Sequence, residues 1–231
     1  MGLLEDLEDS PGAVDATTYV PPGGRVPADW GELPRSAEQA AAGLALASGP
    51  EFHMAVAPPF PPETGPDTAT YDGAAFGPMK EALLKPRVVA IVLLRLGAYA
   101  IGVTQNGELV ESKTGTRWVK GRHKAGGQSQ RRFERRREEW AAKLYGEACE
   151  VAEARIAPFS DALDALAMGG EKHVLNDFRK RCRFVAELQG RLPVLRVAVD
   201  RPGRRALELC SEGVWDSVLW VSPGLDISAH T

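Results

Sequence analysis

Residues 87–96, RVVAIVLLRL, constrain the fold more than any other stretch, because seven apolar residues follow one another between Val88 and Leu94. A run of this length, rich in Val, predicts a strand buried on both faces in the middle of a sheet. Asn106-Gly107 follows, between two further strand-like segments at 98–104 and 109–118. Asn-Gly is the strongest short signal for a β-hairpin, so the sequence predicts a central strand followed by a hairpin.

After this hairpin the chain alternates between helical and strand patterns. Apolar residues recur at helical spacing beyond Ser129, which predicts one long helix over residues 129–157. Shorter patterns predict a strand at 164–168, a helix at 172–188, a buried strand at 194–199, a helix at 202–211 and a strand at 214–221. Such alternation is typical of an α/β domain. We therefore predict an α/β fold for residues 85–231, with a mixed β-sheet and flanking helices.

Residues 1–84 have a different composition. They hold 13 acidic and 3 basic side chains and most of the prolines. We predict an acidic N-terminal extension rich in Pro, Gly and Ala, or a small accessory element, with little capacity to form a core alone. Within it, the patterns predict a short helix at 33–47 and an edge strand at 52–56.

The net charge of −3 conceals a strong local asymmetry. Residues 85–140 hold 13 basic and 5 acidic side chains, and nine of the basic ones lie between Arg117 and Arg137. Residues 141–231 are nearly balanced, with 12 basic and 13 acidic side chains. A positive patch of this density is typical of a surface that faces nucleic acid.

The patch is centred on residues 121–139, GRHKAGGQSQRRFERRREE. Gly126 and Gly127 lack a Cβ, so the backbone there can approach another molecule closely. Gln128 adds a neutral amide with one acceptor and two donors. Ser129 is a good helix N-cap residue and precedes a helix rich in arginine. A polar loop tip between dense positive charges suits insertion into a polyanionic cavity.

Gly126-Gly127-Gln128 resembles the GGQ motif of translation release factors, which hydrolyse the ester that joins a nascent peptide to tRNA. The order of basic run, AGGQSQRRFERRR and long helix is similar to the catalytic domain of eukaryotic and archaeal class-I release factors. The resemblance is strongest to the Vms-like peptidyl-tRNA hydrolases of ribosome quality control, in their short actinobacterial form. It covers residues 85–222 and implies an RNase H-like sheet from which the GGQ loop and the long helix protrude.

The resemblance also implies the site. Gly126, Gly127 and Gln128 are expected to form the catalytic group. The basic residues on either side are expected to bind RNA: Arg117, Lys120, Arg122, His123, Lys124, Arg131, Arg132, Arg135 and Arg136. Gln128 does not titrate near neutral pH, so we expect it to orient the attacking water and to present its backbone N–H to the oxyanion.

The implied activity is a codon-independent peptidyl-tRNA hydrolase that releases nascent peptides from stalled or split large ribosomal subunits. The sequence shows no counterpart of a stop-codon-reading domain, which favours rescue over codon-dependent termination. The expected partners are the large ribosomal subunit, peptidyl-tRNA and rRNA, and the loop would enter the peptidyl transferase centre, where the ribosome completes the active site.

The remaining expectations follow from what the sequence lacks. The four histidines have no HExxH or similar spacing, so we expect neither a metal nor another cofactor. Cys149, Cys182 and Cys210 form no CxxC motif, and we expect reduced thiols. No apolar segment is long enough to span a membrane. We expect a cytoplasmic monomer.

Two other classes of function stay open at this point. One is a nuclease that cuts the tRNA acceptor end with acidic residues and a divalent metal. The other is a non-catalytic ribosome-binding factor whose loop only occupies the peptidyl transferase centre. The 3′ end of the released tRNA distinguishes them, because an esterase leaves it intact, a nuclease shortens it and a binding factor releases nothing.

Overall fold

The computed structural model describes residues 2–30, 40–50, 52–116 and 128–222, and for residues 29 and 128–134 it describes the backbone alone. The chain divides into two units, Met1–Lys85 with Trp215–Thr231, and Pro86–Val214. Its main elements follow in chain order: α1 (Gly2–Glu8), β1 (Ala16–Val20), β2 (Leu44–Ser48), β3 (His53–Ala57), β4 (Ala69–Asp72), α2 (Gly77–Leu84), β5 (Val88–Arg95), β6 (Ala98–Gln105), β7 (Glu108–Thr116), α3 (Gln128–Ile156), β8 (Leu163–Gly170), α4 (Lys172–Arg181), α5 (Arg183–Arg191), β9 (Val194–Val197), α6 (Arg204–Gly213) and β10 (Val218–Val221).

The unit Pro86–Val214 contains a mixed five-stranded sheet in the order β7-β6-β5-β8-β9. Strand β5 is central: it pairs antiparallel with β6 and parallel with β8. Its residues from Val89 to Leu94 are at most 1% exposed. Asn106 and Gly107 both have positive φ in the turn between β6 and β7, which is the geometry that favours Asn-Gly. The central strand, the hairpin and the α/β class with a mixed sheet are therefore confirmed.

Two predictions for this unit were wrong in detail. The helix predicted at 172–188 is two helices, because Cys182 is extended (φ −113, ψ 95) between α4 and α5. The change of direction lets Val185 and Leu188 of α5 join the same core as Phe178 of α4. Strand β9 ends at Val197 rather than at 199, and its residues are only partly buried or exposed, because it pairs with β8 alone.

The cysteines also differ from expectation. Cys149 of α3 and Cys182 form a disulfide with a Cα–Cα distance of 5.4 Å, so the prediction of reduced thiols is wrong for this pair. Cys210 is free and buried. The bonded cysteines are separated by 33 positions in the sequence, and only the packing of the helices brings them together, which explains why the bond was not predicted.

The other unit, Met1–Lys85 with Trp215–Thr231, contains an antiparallel sheet in the order β10-β3-β2-β1-β4. It has a hydrophobic core of its own, to which both helices contribute, with Leu4, Leu7, Tyr19, Met54 and Met79 among its buried residues. The strands are short and separated by Pro- and Gly-rich turns. This unit therefore has the amino-acid composition of a loosely ordered extension, although it buries apolar side chains in a core of its own.

Three predictions meet a different outcome in this unit. Part of the helix predicted at 33–47 is strand β2, and its residues 33–39 lie outside the described residues. Strand β3 exists but is not an edge strand, because it lies between β2 and β10. The strand predicted at 214–221 begins only at Val218, and it completes this sheet rather than the sheet of the α/β unit.

Candidate functional site

One of the three predicted catalytic residues lies at the start of α3. The helix starts at Gln128, whose backbone is described. Gly126 and Gly127 lie outside the described residues, as do five predicted RNA-binding residues: Arg117, Lys120, Arg122, His123 and Lys124. Arg131 and Arg132 belong to α3, with only their backbone described, and Arg135 and Arg136 are exposed on it.

The chain reaches this helix from the edge of the sheet. Strand β7 is the outermost strand and ends at Thr116, so residues 117–127 connect a sheet edge to the start of α3. β7 is exposed or only partly buried along its whole length. The connection therefore begins at an exposed sheet edge of the α/β unit.

The two halves of α3 have different surroundings. In the second half, Leu144, Tyr145, Ala148, Ala152 and Ile156 are at most 4% exposed and pack in the core on one face of the sheet, and burial raises the pKa of the Tyr145 hydroxyl. In the first half, residues 135–139 are all exposed. Leu144, the first buried residue after the exposed segment, lies about 24 Å along the helix axis from Gln128. The described exposure pattern is that of a helix anchored by its C-terminal half.

Two bonds add to that anchor. The disulfide from Cys149 to Cys182 joins α3 to the junction of α4 and α5. Near the C-terminal end of α3, Arg155 Nη1 lies 3.2 Å from Glu111 Oε1 of β7. The sequence predicted the elements that carry these residues, but it predicted neither bond. Both bonds join the C-terminal half of α3 to its neighbours in the α/β unit.

The positive charges at the start of α3 repel one another. The first turn has no acidic residue. Arginines four positions apart, at 131 and 135 and at 132 and 136, place like charges on neighbouring turns, which destabilises a helix. The exposed backbone N–H groups of a helix start are positive as well. The exposed pair Arg135 Nε–Glu139 Oε1, at 3.6 Å, is long and weak. A bound polyanion would relieve this repulsion.

Two searches cover the described part of the chain. No group of three or more His, Cys, Asp and Glu side chains there is arranged to hold a metal ion. None of the helices in the described ranges combines the length and the apolar character that a membrane span requires.

The sequence matches a protein family. The model of the family described as Actinobacteria/chloroflexi VLRF1 release factor matches residues 87–219. This range contains the whole α/β unit apart from its first residue, including α3 and the Gly126-Gly127-Gln128 motif, and it covers more than half of the chain.

Curated relatives give a partial match. The chain is 29% identical over 112 residues to peptide chain release factor subunit 1 of Archaeoglobus fulgidus, which is 48% of this chain and 28% of that protein. It is 33% identical over 122 residues to peptide chain release factor subunit 1 of Methanosphaera stadtmanae, which is 52% of this chain and 30% of that protein. The chain therefore spans less than a third of the length of these relatives.

Solved structures give a distant likeness. An archaeal translation termination factor, aRF1, matches with a TM-score of 0.40 and 17% identity over 87% of this chain and 65% of that one. The Vms1 mitochondrial localization core matches with a TM-score of 0.44 and 12% identity over 78% of this chain and 76% of that one. With TM-scores below 0.5, the family assignment depends on the sequence match.

Proposed function

Because the chain belongs to the Actinobacteria/chloroflexi VLRF1 release factor family, we propose that it is a codon-independent peptidyl-tRNA hydrolase that frees nascent peptides from stalled or split large ribosomal subunits. The observation that carries the proposal is the position of Gly126-Gly127-Gln128. The motif ends on the first residue of α3, whose C-terminal half is anchored in the core and whose arginine-rich N-terminal half is exposed at residues 135–139.

In the proposed reaction, the loop enters the peptidyl transferase centre and Gln128 meets the ester of peptidyl-tRNA. Hydrolysis requires a positioned water, an oxyanion stabilised by hydrogen bonds and a proton for the leaving 3′ hydroxyl. The Gln128 side chain orients the water, and its backbone N–H donates to the oxyanion. The absence of a Cβ at Gly126 and Gly127 lets that N–H approach the tRNA end. Ribosomal RNA supplies the other groups of the site.

The proposed partners follow from the charge of the same region. The basic residues around the motif, from Arg117 to Arg136, contact phosphates of rRNA and of the tRNA. Contact with phosphate neutralises the repulsion at the start of α3, which no acidic residue of its first turn offsets. We place the protein in the cytoplasm, where it acts as a monomer without a metal or other cofactor.

A release assay tests the proposal. Peptidyl-tRNA on purified large subunits is mixed with excess protein, and the released peptide and the 3′ end of the tRNA are both measured. The wild type is expected to release peptide and leave the CCA end intact. A shortened end would indicate the nuclease, and binding without release would indicate the non-catalytic factor.

A matched pair of variants identifies the residue responsible. Gln128→Ala and Gln130→Ala make the same chemical change two positions apart in α3. Only Gln128→Ala is expected to reduce release, while both variants bind large subunits as the wild type does. Equal rates for the two variants would contradict the proposed role of Gln128.

A further inference from the structure

A second basic surface lies on the α/β unit, in the segment from β9 to α6. Residues 196–206 together with Leu209, Cys210 and Gly213 line an open cavity of about 780 Å³. This volume is within the range of ligand-binding clefts. The predictions made from the sequence assigned a strand and a helix to this segment but no functional residue, because the charge of residues 141–231 as a whole is almost balanced.

The lining is positively charged. Four arginines and one aspartate lie between residues 196 and 205. Arg204 is already engaged, since its Nε lies 2.8 Å from Glu208 Oε1 and its Nη1 donates to Ser112 Oγ at 2.8 Å. Arg196, Arg201 and Arg205 are exposed, and with the described residues they form neither an ion pair nor a side-chain hydrogen bond. Three guanidinium groups are therefore free to bind an external anion.

The same cavity has an apolar part. Leu209 is 51% exposed although it is a large aliphatic side chain, and it lines the cavity with Val199 and Ala206. Burial raises the pKa of the Cys210 thiol to about 11, so this residue is neutral near pH 7 and belongs to the apolar part. Apolar surface beside free guanidinium groups matches a ligand with phosphate groups joined to sugars and bases.

The start of α6 adds donors on this side. Gly203 precedes the helix and provides no side-chain cap, and the first turn contains no acidic residue. The first backbone N–H groups of a helix lack acceptors within it and attract anions. Arg204 and Arg205 place positive charge at this positive end, as the arginines do at the start of α3.

We propose that this surface, defined by Arg196, Arg201 and Arg205 with Leu209, binds the sugar-phosphate backbone of an RNA strand. The choice of RNA over a free nucleotide rests on the proposed function, and it agrees with an open cavity of this volume that is lined by three exposed cations. The surface is distinct from the arginines of α3. Ile101 and Val103 of β6 face the core that contains α3, whereas Gly102 faces Leu207 of α6, so the two helices lie on opposite faces of the sheet. One protein therefore contacts two RNA segments.

The test compares two triple variants of the full chain that remove the same charge. Arg196→Ala, Arg201→Ala and Arg205→Ala are combined in one variant. The control combines Arg179→Ala, Lys180→Ala and Arg181→Ala, which are exposed at the end of α4. The probe is a labelled single-stranded oligoribonucleotide of about 12 nucleotides, within the site sizes of single-strand binders. Its affinity is measured by fluorescence anisotropy over a range of salt concentrations, with uridine monophosphate as competitor.

The cavity variant is expected to lose affinity on the order of tenfold, and its log–log salt slope is expected to fall by about 2, at roughly 0.7 per phosphate contact. The control variant is expected to lose clearly less, and the combination of Arg→Lys changes at 196, 201 and 205 is expected to keep the slope. Equal losses in the cavity and control variants, or no loss in either, would overturn the proposal. Displacement of the oligonucleotide by equimolar uridine monophosphate would overturn it in favour of a nucleotide site. Since the assay measures binding and not release, its outcome is independent of the Gln128 experiment.

Discussion

At the scale of single residues, Gln128 differs from its neighbours by its position and not by its chemistry. Its side chain does not titrate, and Gln130 carries the same amide two positions further on. What distinguishes Gln128 is that it starts α3 and follows two glycines. The first N–H groups of a helix are free to donate, so the same residue can supply both a backbone donor and a side-chain amide.

We expect Gln128→Ala to slow peptide release by about 10² to 10³, the usual effect of losing one preorganised group at an oxyanion. The backbone N–H survives the substitution, so the loss is expected towards the lower value. Gly127→Val is expected to be slower still, because a β-branched side chain obstructs close approach and is penalised at positive φ. Single-turnover release on large subunits measures both, and thermal melts of the variants are expected to match the wild type within about 0.5 kcal/mol. A Gly127→Val protein as fast as the wild type would contradict close backbone approach.

Part of this site could be predicted from single residues and part could not. Gln128 and the arginines around it could be proposed from the sequence because motif and charge are local properties, and they stay predictions. The free arginines at 196, 201 and 205 were not proposed, since averaging over the nearly neutral C-terminal segment concealed them. The bond between Cys149 and Cys182 was also missed, because it depends on helix packing that brings together two residues 33 positions apart in the chain.

At the scale of elements, the C-terminal half of α3 is stabilised by packing in the core, whereas its N-terminal half carries like charges that repel one another. The bounds predicted for it, 129–157, differ by one residue at each end from Gln128–Ile156. These bounds were predicted from apolar residues at helical spacing, and those residues are the ones that pack on the sheet. A periodic pattern of this kind indicates a helix face that packs on a core. The break between α4 and α5 was not predictable in this way, because Val185 and Leu188 keep a helical spacing with Phe178 across it.

Replacing Arg131, Arg132, Arg135 and Arg136 with Ala is expected to weaken binding to the large subunit and to raise the stability of the fold slightly. Removal of like charges from the positive end of a helix is favourable by about 0.3–1 kcal/mol per charge, and Ala has a high helix propensity. The log–log slope of affinity against salt should fall by about 3–4 for four phosphate contacts. Affinity indifferent to salt would contradict the role of this patch, and a lower melting temperature would contradict the repulsion described for α3.

The disulfide is expected to matter for stability. Its loop of 33 positions gives an expected contribution of about 3–4 kcal/mol to the free energy of unfolding, by restricting the unfolded chain. Urea unfolding of the oxidised wild type and of Cys149→Ala/Cys182→Ala measures the difference, with Cys210→Ala as the control that leaves the bond in place. Equal unfolding midpoints for the wild type in the presence and in the absence of reductant would contradict this contribution.

At the scale of the whole molecule, the unit Pro86–Val214 is inserted in the sequence of the other unit, which is completed only by β10. The α/β class could be predicted because its strands and helices are long and periodic. The sheet of the other unit could not, because its strands have four or five residues and its last strand follows 129 inserted residues. Short strands joined by Pro- and Gly-rich segments have the amino-acid composition of a linker, so composition alone did not indicate a sheet.

A fragment of residues 86–214 is expected to be soluble and to melt cooperatively, because the core around Val92, Leu144 and Phe178 lies entirely within it. A fragment of residues 86–231 is expected to aggregate more readily, since Val218–Val221 would lack its partner β3. Size-exclusion chromatography and thermal melts of the two fragments provide the comparison. Greater solubility of the longer fragment would contradict this expectation.

The late position of β10 has a consequence for the newly made chain. The backbone N–H of His53 in β3 donates a hydrogen bond to Ser222 Oγ, next to β10, and the two residues are separated by 169 positions. At about 5–20 residues per second, an elongating ribosome needs roughly 8–34 s to synthesise the intervening sequence. During that interval one edge of β3 is uncovered and is a template for strands of neighbouring nascent chains. We therefore expect the speed of elongation, and not only the final free energy of folding, to affect how much of this protein reaches its native sheet.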